Sequence, residues 1–157
     1  MHRFPPERIV CLTEETVETL YLLREDARVV GVSGYAVRPP RVRCEEPRVS
    51  AVTSADIPKI LALDPDLVLT FSDLQADIAA ELVRQGIVVH AFNQQDIGGI
   101  PAVIRILGAL VSAADRAEAQ ATSLVRRLNQ VATEAKGRSR LKVYFEEWDE
   151  PLISGIG

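Results

Sequence analysis

Two spacings of apolar residues alternate along this chain. Short runs rich in β-branched residues cover Arg8 to Leu12, Arg28 to Val32, Val49 to Val52, Leu67 to Phe71 and Ile87 to Phe92. Runs of that length and composition predict strands. Between them the apolar positions recur at helical spacing. Thr13 and Thr16 offer capping hydroxyls to a helix whose acidic first turn, Glu14 and Glu15, suits the helix dipole, with Val17, Leu20, Tyr21 and Leu23 facing inward. Asp56 predicts an N-cap, with Pro58 in the first turn and Ile60, Leu61 and Leu63 behind it. Leu74 to Arg84 reads as an amphipathic helix ended by Gly86. Asp96 to Val111 reads as another, with Ile100, Val103, Ile104 and Leu107 inward. Residues 36–48 hold three prolines and read as a long loop. Leu67 to Phe71 is apolar almost throughout, as in a strand covered on both faces. The alternation predicts an α/β fold, a parallel-sheet three-layer lobe of doubly wound or related type.

Ser112 to Lys136 breaks that rhythm. Ser112 offers a cap, Asp115 lies in the first turn, and Leu124, Leu128 and Val131 recur by four and three among alanines and charges. Twenty-five helical residues would extend about 37 Å, more than one small sheet needs, so a helix bridging two lobes is expected; a terminal or dimerising helix is the plainer alternative. Val143 and Phe145 then read as the first strand of a new sheet, with Trp148, the single tryptophan, just beyond. The expected organisation is an α/β lobe over 1–111, an interdomain helix over 112–137, and the first strand and loop of a truncated second lobe over 138–157. An unpaired strand edge also invites dimerisation through that last segment.

The 157 residues include 47% hydrophobic positions and a net charge of −4, which excludes disorder and gives no basic footprint for nucleic acid. Arg38, Arg41, Arg43 and Arg48 fall in the Pro-rich stretch and read as a solvated loop rather than a phosphate site. Cys11 lies in an apolar strand pattern and predicts a buried thiol. Cys44, His2 and His90 have no metal-ligand spacing, so no metal site is expected. There is no G-x-G-x-x-G, P-loop or G-x-S-x-G, and no histidine stands beside a Ser or Cys nucleophile, so no enzyme is expected. The first residues carry no apolar secretory core. That predicts a cytoplasmic location for the sequence as it stands, or a periplasmic or surface-anchored one if an export signal lies outside it.

In order and spacing, several segments resemble one family. They are Arg8-Ile-Val-Cys-Leu with Thr13-Glu14-Glu15-Thr16, Arg28-Val-Val-Gly-Val-Ser-Gly-Tyr35 followed by Pro39-Pro40, and Ile60-Leu-Ala-Leu-Asp-Pro-Asp-Leu-Val-Leu69. Gly86-Ile-Val-Val, the long helix and Glu146-Glu147-Trp148-Asp149-Glu150-Pro151 follow in register. The chain resembles the class III periplasmic binding proteins for cobalamin and iron chelates, in which two α/β lobes are joined by a long helix, and is nearest to the cobalamin-binding members. The resemblance implies a substrate-binding protein of ABC-transporter type, or its N-terminal lobe. Its ligand would be cobalamin or a related corrinoid, with a ferric siderophore or haem as alternatives; a cytoplasmic corrinoid binder and, more remotely, a small α/β enzyme are others. It implies no intrinsic cofactor, because the metal arrives within the transported ligand. It also implies an ABC permease as partner, docked through an exposed Glu on each lobe; in the first lobe that position is Pro58 here, with Asp56 two residues away.

The resemblance implies a ligand in the cleft between lobes, contacted by the loops after the strands, in agreement with the rule that open α/β sheets bind ligands outside the carboxyl ends of their strands. Tyr35 follows a strand and a glycine, where an aromatic can lie against a conjugated ring; its alternative is a cap on the local core. Thr13 and Glu14 open a helix whose free N–H groups can hold an oxygen, or they simply cap it. The acidity of Glu14 and Glu15 disfavours an anionic chelate and suits a neutral corrinoid side chain. Phe71 and Ser72 end one strand, and Phe92 and Asn93 the next, each a cleft wall or core. Trp148 is a candidate stacking wall or an inter-lobe packing residue. The acidic run Glu146, Glu147, Asp149, Glu150 alternates faces if extended and reads as solvated rather than as a cation site.

Overall fold

The computed structural model describes residues 4–146, 148–149 and 152–153. β1 (Ile9–Cys11), α1 (Glu14–Leu22), β2 (Val29–Ser33), a short α2 (Val42–Glu45) and β3 (Arg48–Ser50) lead to α3 (Ile57–Ala62) and β4 (Leu67–Phe71). α4 (Ala76–Arg84), β5 (Val89–Phe92), α5 (Gly99–Leu110) and α6 (Ala114–Ala135) follow. The five strands form one parallel sheet in the order β3-β2-β1-β4-β5.

Strand alternation divides the core into two layers. Ile9 and Cys11 of β1 join Leu67 and Leu69 of β4 against Val17 and Leu20 of α1 and Val103 and Leu107 of α5. Val10 and Leu12 turn to the other face, with Val68, Ile60 of α3 and Leu82 of α4. Both faces of the central strands are thereby covered, which accounts for the largely apolar run at 67–71, broken only by the buried Thr70.

The Leu-Asp-Pro-Asp segment has a structural use at the amino ends of the strands. Asp66 Oδ2 and Oδ1 accept from the backbone N–H groups of Glu7 and Arg8 at 2.8 and 3.0 Å. The Arg8 guanidinium donates to the carbonyls of Leu63 and Asp64 at the end of α3. At Asp56 the expected N-cap forms, its carboxylate accepting from Lys59 N–H at 3.0 Å. Gly86 takes φ +82°, which a side chain would disfavour, where the chain leaves α4.

Several expectations are corrected. Thr13 sits at the N-cap of α1, but its hydroxyl makes no capping bond; its Oγ1 lies 3.2 Å from Thr16 Oγ1, and Thr16 Oγ1 donates to the Thr13 carbonyl. Residues 36–48 contain α2. The helix expected from Leu74 begins at Ala76; Leu74, 60% exposed, and the buried Gln75 belong to a 3-10 turn before it. Ile100 is exposed, leaving Val103 and Leu107 as the buried face of α5. Ser112 does not cap the long helix: it takes φ 59°, with Ser112 N–H on Ala109 O and Ala113 N–H on Gly108 O at 2.7 Å. That pair is the closing pattern of a helix C-terminus. α6 runs 22 residues, about 33 Å, with Ala117 and Ala121 buried and Val131 exposed. Leu141 to Glu146, including Val143 and Phe145, is exposed and irregular rather than a strand; the extended backbone comes later, where Trp148–Asp149 (β6) pairs antiparallel with Leu152–Ile153 (β7).

The buried Cys11 thiol is pushed up to about 12, chiefly by desolvation, while Cys44 is exposed. Native chain should therefore take up one equivalent of a thiol reagent at pH 8, at Cys44, and a second only on unfolding. The native state also holds the Cys11 proton through a range in which the unfolded chain releases it, so this thiol makes stability fall as pH rises from about 9 to about 12.

Candidate ligand-binding rim

Strand order reverses between β1 and β4, since the chain runs outward from β1 through β2 to β3 and then returns to β1's other side. Ligands of open α/β sheets sit at such a switch point, at the carboxyl ends of the strands. Register keeps those ends close in level: Cys11 pairs with Val32 and Leu69, and Phe71 with Phe92. Thr13, half-buried, therefore lies at the end of β1 beside Phe71 and Ser72 at the end of β4.

Ser72 is held at φ 55°, ψ −178°, a conformation that costs a non-glycine residue about 1–3 kcal/mol. Its backbone N–H donates to Phe92 O at 2.8 Å, and its Oγ accepts from Leu74 N–H at 3.2 Å. Gln75, 2% exposed, locks this turn to its neighbours. Its Oε1 accepts from Phe71 N–H at 3.0 Å, and its Nε2 donates to Leu12 O at 3.1 Å and Val52 O at 3.0 Å. One side-chain amide thus joins the ends of β1 and β4 to the loop after β3. Nothing in the sequence distinguishes Gln75 from the chain's other glutamines; only its place four residues past Phe71 could have drawn notice.

At the end of β2 the turn is fixed by Gly34 N–H on Ser50 O at 2.7 Å and Ala36 N–H on Ser33 O at 3.0 Å. It leaves the Tyr35 ring 58% exposed, a side chain presented rather than packed. Glu14 is partly committed elsewhere, since Arg38 lies 3.9 Å from its carboxylate and 3.5 Å from that of Glu18. Arg41 pairs with Asp26 at 2.8 Å and lies over the Tyr21 ring, so these two arginines of the Pro-rich stretch are engaged in surface pairs. Asn93 is exposed at the outer end, after β5. His90 stacks edge-on with Phe92, and burial lowers its pKa. The Trp148 side chain lies outside the described residues.

Below the rim, between α1 and α5, lies a cavity of about 420 Å³ lined by Glu15, Glu18, Thr19, Leu22, Phe71, Gln94, Ile100, Val103 and Ile104. Phe71 is thus both packed against the core and part of an open wall. Among the described residues no group of three or more His, Cys, Asp or Glu could hold a metal ion, and no helix is long and apolar enough to cross a membrane.

The fold is a parallel sheet with its loops gathered at a switch point, followed by a long helix. Residues 9–157 match the family model described as periplasmic binding protein, and the chain belongs to that family. Its relatives include the vitamin B12-binding proteins of Pectobacterium carotovorum subsp. carotovorum (strain PC1), 24% identical over 152 residues, and of Salmonella typhi, 27% identical over 152 residues. These matches cover 95% and 96% of this chain but 55% and 56% of the relatives, so the chain spans about half their length. In fold it is similar to the periplasmic vitamin B12 binding protein BtuF of Vibrio cholerae, with a TM-score of 0.85 at 24% identity over 96% of this chain and 59% of that one. A periplasmic heme binding protein from Pseudomonas aeruginosa gives 0.75 at 22% identity over 82% and 46%.

Proposed function

We propose that this chain is the ligand-binding N-terminal lobe of a non-catalytic solute-binding protein, and that its ligand is a corrinoid. What supports this reading is the rim: Tyr35 is exposed after β2, while Thr13 follows the adjacent β1 and Phe71 and Ser72 end β4 on its other side, at the switch point of the sheet. A broad conjugated ring gains contact area and stacking on such an aromatic. The names of the curated relatives favour a corrinoid over haem or a siderophore, and so does the acidity of Glu14 and Glu15. α6 acts as the rigid connector to a second lobe begun by residues 138–157. Closure of two lobes around it would complete the cleft, and the metal would arrive inside the ligand. The family points to action outside the cytoplasmic membrane, with an ABC permease as the receiving partner.

Tyr35→Ala should weaken cyanocobalamin binding by about tenfold, the loss of a stacking contact of roughly 1.4 kcal/mol, without lowering the melting temperature. Titration calorimetry paired with a thermal melt reads both. Unchanged affinity would remove Tyr35 from the site.

One observation favours a second reading, a corrinoid binder not coupled to a transporter. Pro58 is exposed in the first turn of α3 where the family resemblance calls for a docking Glu, and Asp56 nearby is engaged by Lys59 N–H. Corrinoid-loaded protein that leaves the ATPase rate of a corrinoid ABC permease unchanged would support this reading; stimulation would reject it.

A further inference from the structure

β2, β3, β4 and β5 each end in a loop that leaves one large apolar side chain in solvent. Tyr35 follows β2, Val52 follows β3, Leu74 follows β4 and Ile97 follows β5, at 58%, 47%, 60% and 63% exposure. A single exposed apolar residue is ordinary on a protein surface; one in every loop along the same edge of a sheet is a row. In the strand order β3-β2-β1-β4-β5 the row runs Val52, Tyr35, Leu74, Ile97. Four strand spacings of about 4.8 Å give it a span of about 19 Å. The turns that carry these residues are pinned. Gly34 N–H on Ser50 O at 2.7 Å ties the turn of Tyr35 to the end of β3, and Ala51 N–H on Ser54 O at 2.8 Å closes the loop around Val52. Gln75 Nε2 donates to Val52 O at 3.0 Å, while the adjacent Leu74 donates its N–H to Ser72 Oγ at 3.2 Å. Asp96 Oδ1 accepts from Gly99 N–H at 2.6 Å, closing the turn that holds Ile97.

Backbone that is already fixed costs little further entropy when a ligand lands on it. A small solute would meet one of the four side chains. A flat macrocycle meets several at once, and affinity grows with the apolar area covered. The row also runs along the strand ends that carry Thr13, Phe71 and Ser72, so it is continuous with the candidate rim. We infer that Val52, Leu74 and Ile97 are further ligand contacts, forming with Tyr35 an apolar platform for the flat face of a macrocyclic ligand. The inference rests on the rim as the ligand site and names what the face of a corrinoid would touch there.

Val52→Thr, Leu74→Gln and Ile97→Thr make the row polar at nearly constant volume. These side chains are already in water, so melting temperatures should move by no more than about 2 °C. Each change should weaken cyanocobalamin binding about threefold, and the triple variant about thirtyfold. Titration calorimetry reads the affinity and also the heat-capacity change on binding, which becomes less negative as apolar contact is lost. Val83→Thr, at a side chain equally exposed near the far end of α4, should change neither. Protoporphyrin IX, a flat macrocycle that is not a corrinoid, separates the two readings. A parent that binds the porphyrin but no corrinoid, with the triple variant weakened, overturns the corrinoid reading and keeps the platform. A parent that binds cyanocobalamin, with the triple variant unchanged, overturns the platform and keeps the corrinoid reading. Self-association lost in the triple variant at unchanged cyanocobalamin affinity gives the row to a second copy of the chain and likewise overturns the platform. Binding of neither macrocycle, or of the porphyrin alone with the triple variant unchanged, overturns both.

Discussion

Gly108→Val lowers the melting temperature by roughly 6–12 °C, the shift that about 3 kcal/mol produces in a domain of this size. Gly108 lies where α5 meets α6. A Cβ placed there would stand 2.1 Å from Ala117 Cβ and 3.2 Å from Ala113 O, and both Ala113 and Ala117 are buried. Replacing a helical glycine gains up to about 1 kcal/mol of helix propensity, less for a β-branched residue. Forcing two helices apart in a packed contact loses more, so the sign is set by packing. The contact also fixes where α6 leaves the lobe, because the Gly108 carbonyl accepts from Ala113 N–H in the turn between the helices. Thermal melts monitored at 222 nm decide the matter. A variant as stable as the parent would mean that α5 and α6 do not meet at Gly108.

Gln75→Leu should remove about 3 kcal/mol of stability and, in the molecules that remain folded, weaken corrinoid binding by tenfold or more. Leucine fills a similar volume but leaves Phe71 N–H and the carbonyls of Leu12 and Val52 without their partner. The same change frees the turn that holds Ser72 at φ 55°, so the ends of β1 and β4 lose their fixed spacing. Gln75→Glu separates the two effects. A carboxylate can still accept from Phe71 N–H but cannot donate to either carbonyl; its protonated form can donate to one. The two carbonyls favour that neutral form and raise the folded-state pKa of the introduced acid. Its stabilising contribution is then present below the unfolded value, about 4.3, and is lost as pH rises through the folded value. Denaturant midpoints across pH 4 to 8 should show the Gln75→Glu deficit widening with pH while the parent's profile does not. Equal deficits at every pH would show that donation to Leu12 and Val52 is unimportant.

The layered fold was legible because its signals are local and repeated. The apolar run at 67–71, the Asp56-Ile57-Pro58 start and the Gly86 stop each mean one thing to the backbone, and each is found. The turn between α5 and α6 was misread because serine is a good N-cap, while the decisive fact is a close helix crossing at Gly108, which no local window contains. The Val143 strand was misplaced because Val143, Tyr144 and Phe145 have the composition of a strand, although the partner that makes a strand is a tertiary matter. Within the candidate site, Tyr35, Thr13, Phe71 and Ser72 were accessible from strand ends. Gln75 was not, because its bonds join three separate segments. The acidity of Glu15 was visible in the sequence; that one of its oxygens is buried without a partner was not.

The central claim is that the ligand meets this lobe at the carboxyl ends of β1, β2, β4 and β5. Amide shift mapping of the labelled chain with cyanocobalamin tests it most directly. The predicted result is a set of saturable shifts that includes residues 13–15, 34–36, 71–75 and 93–94, with α3 and α4 unmoved. Shifts concentrated on α3 or α4, or no shifts with any corrinoid, would contradict it.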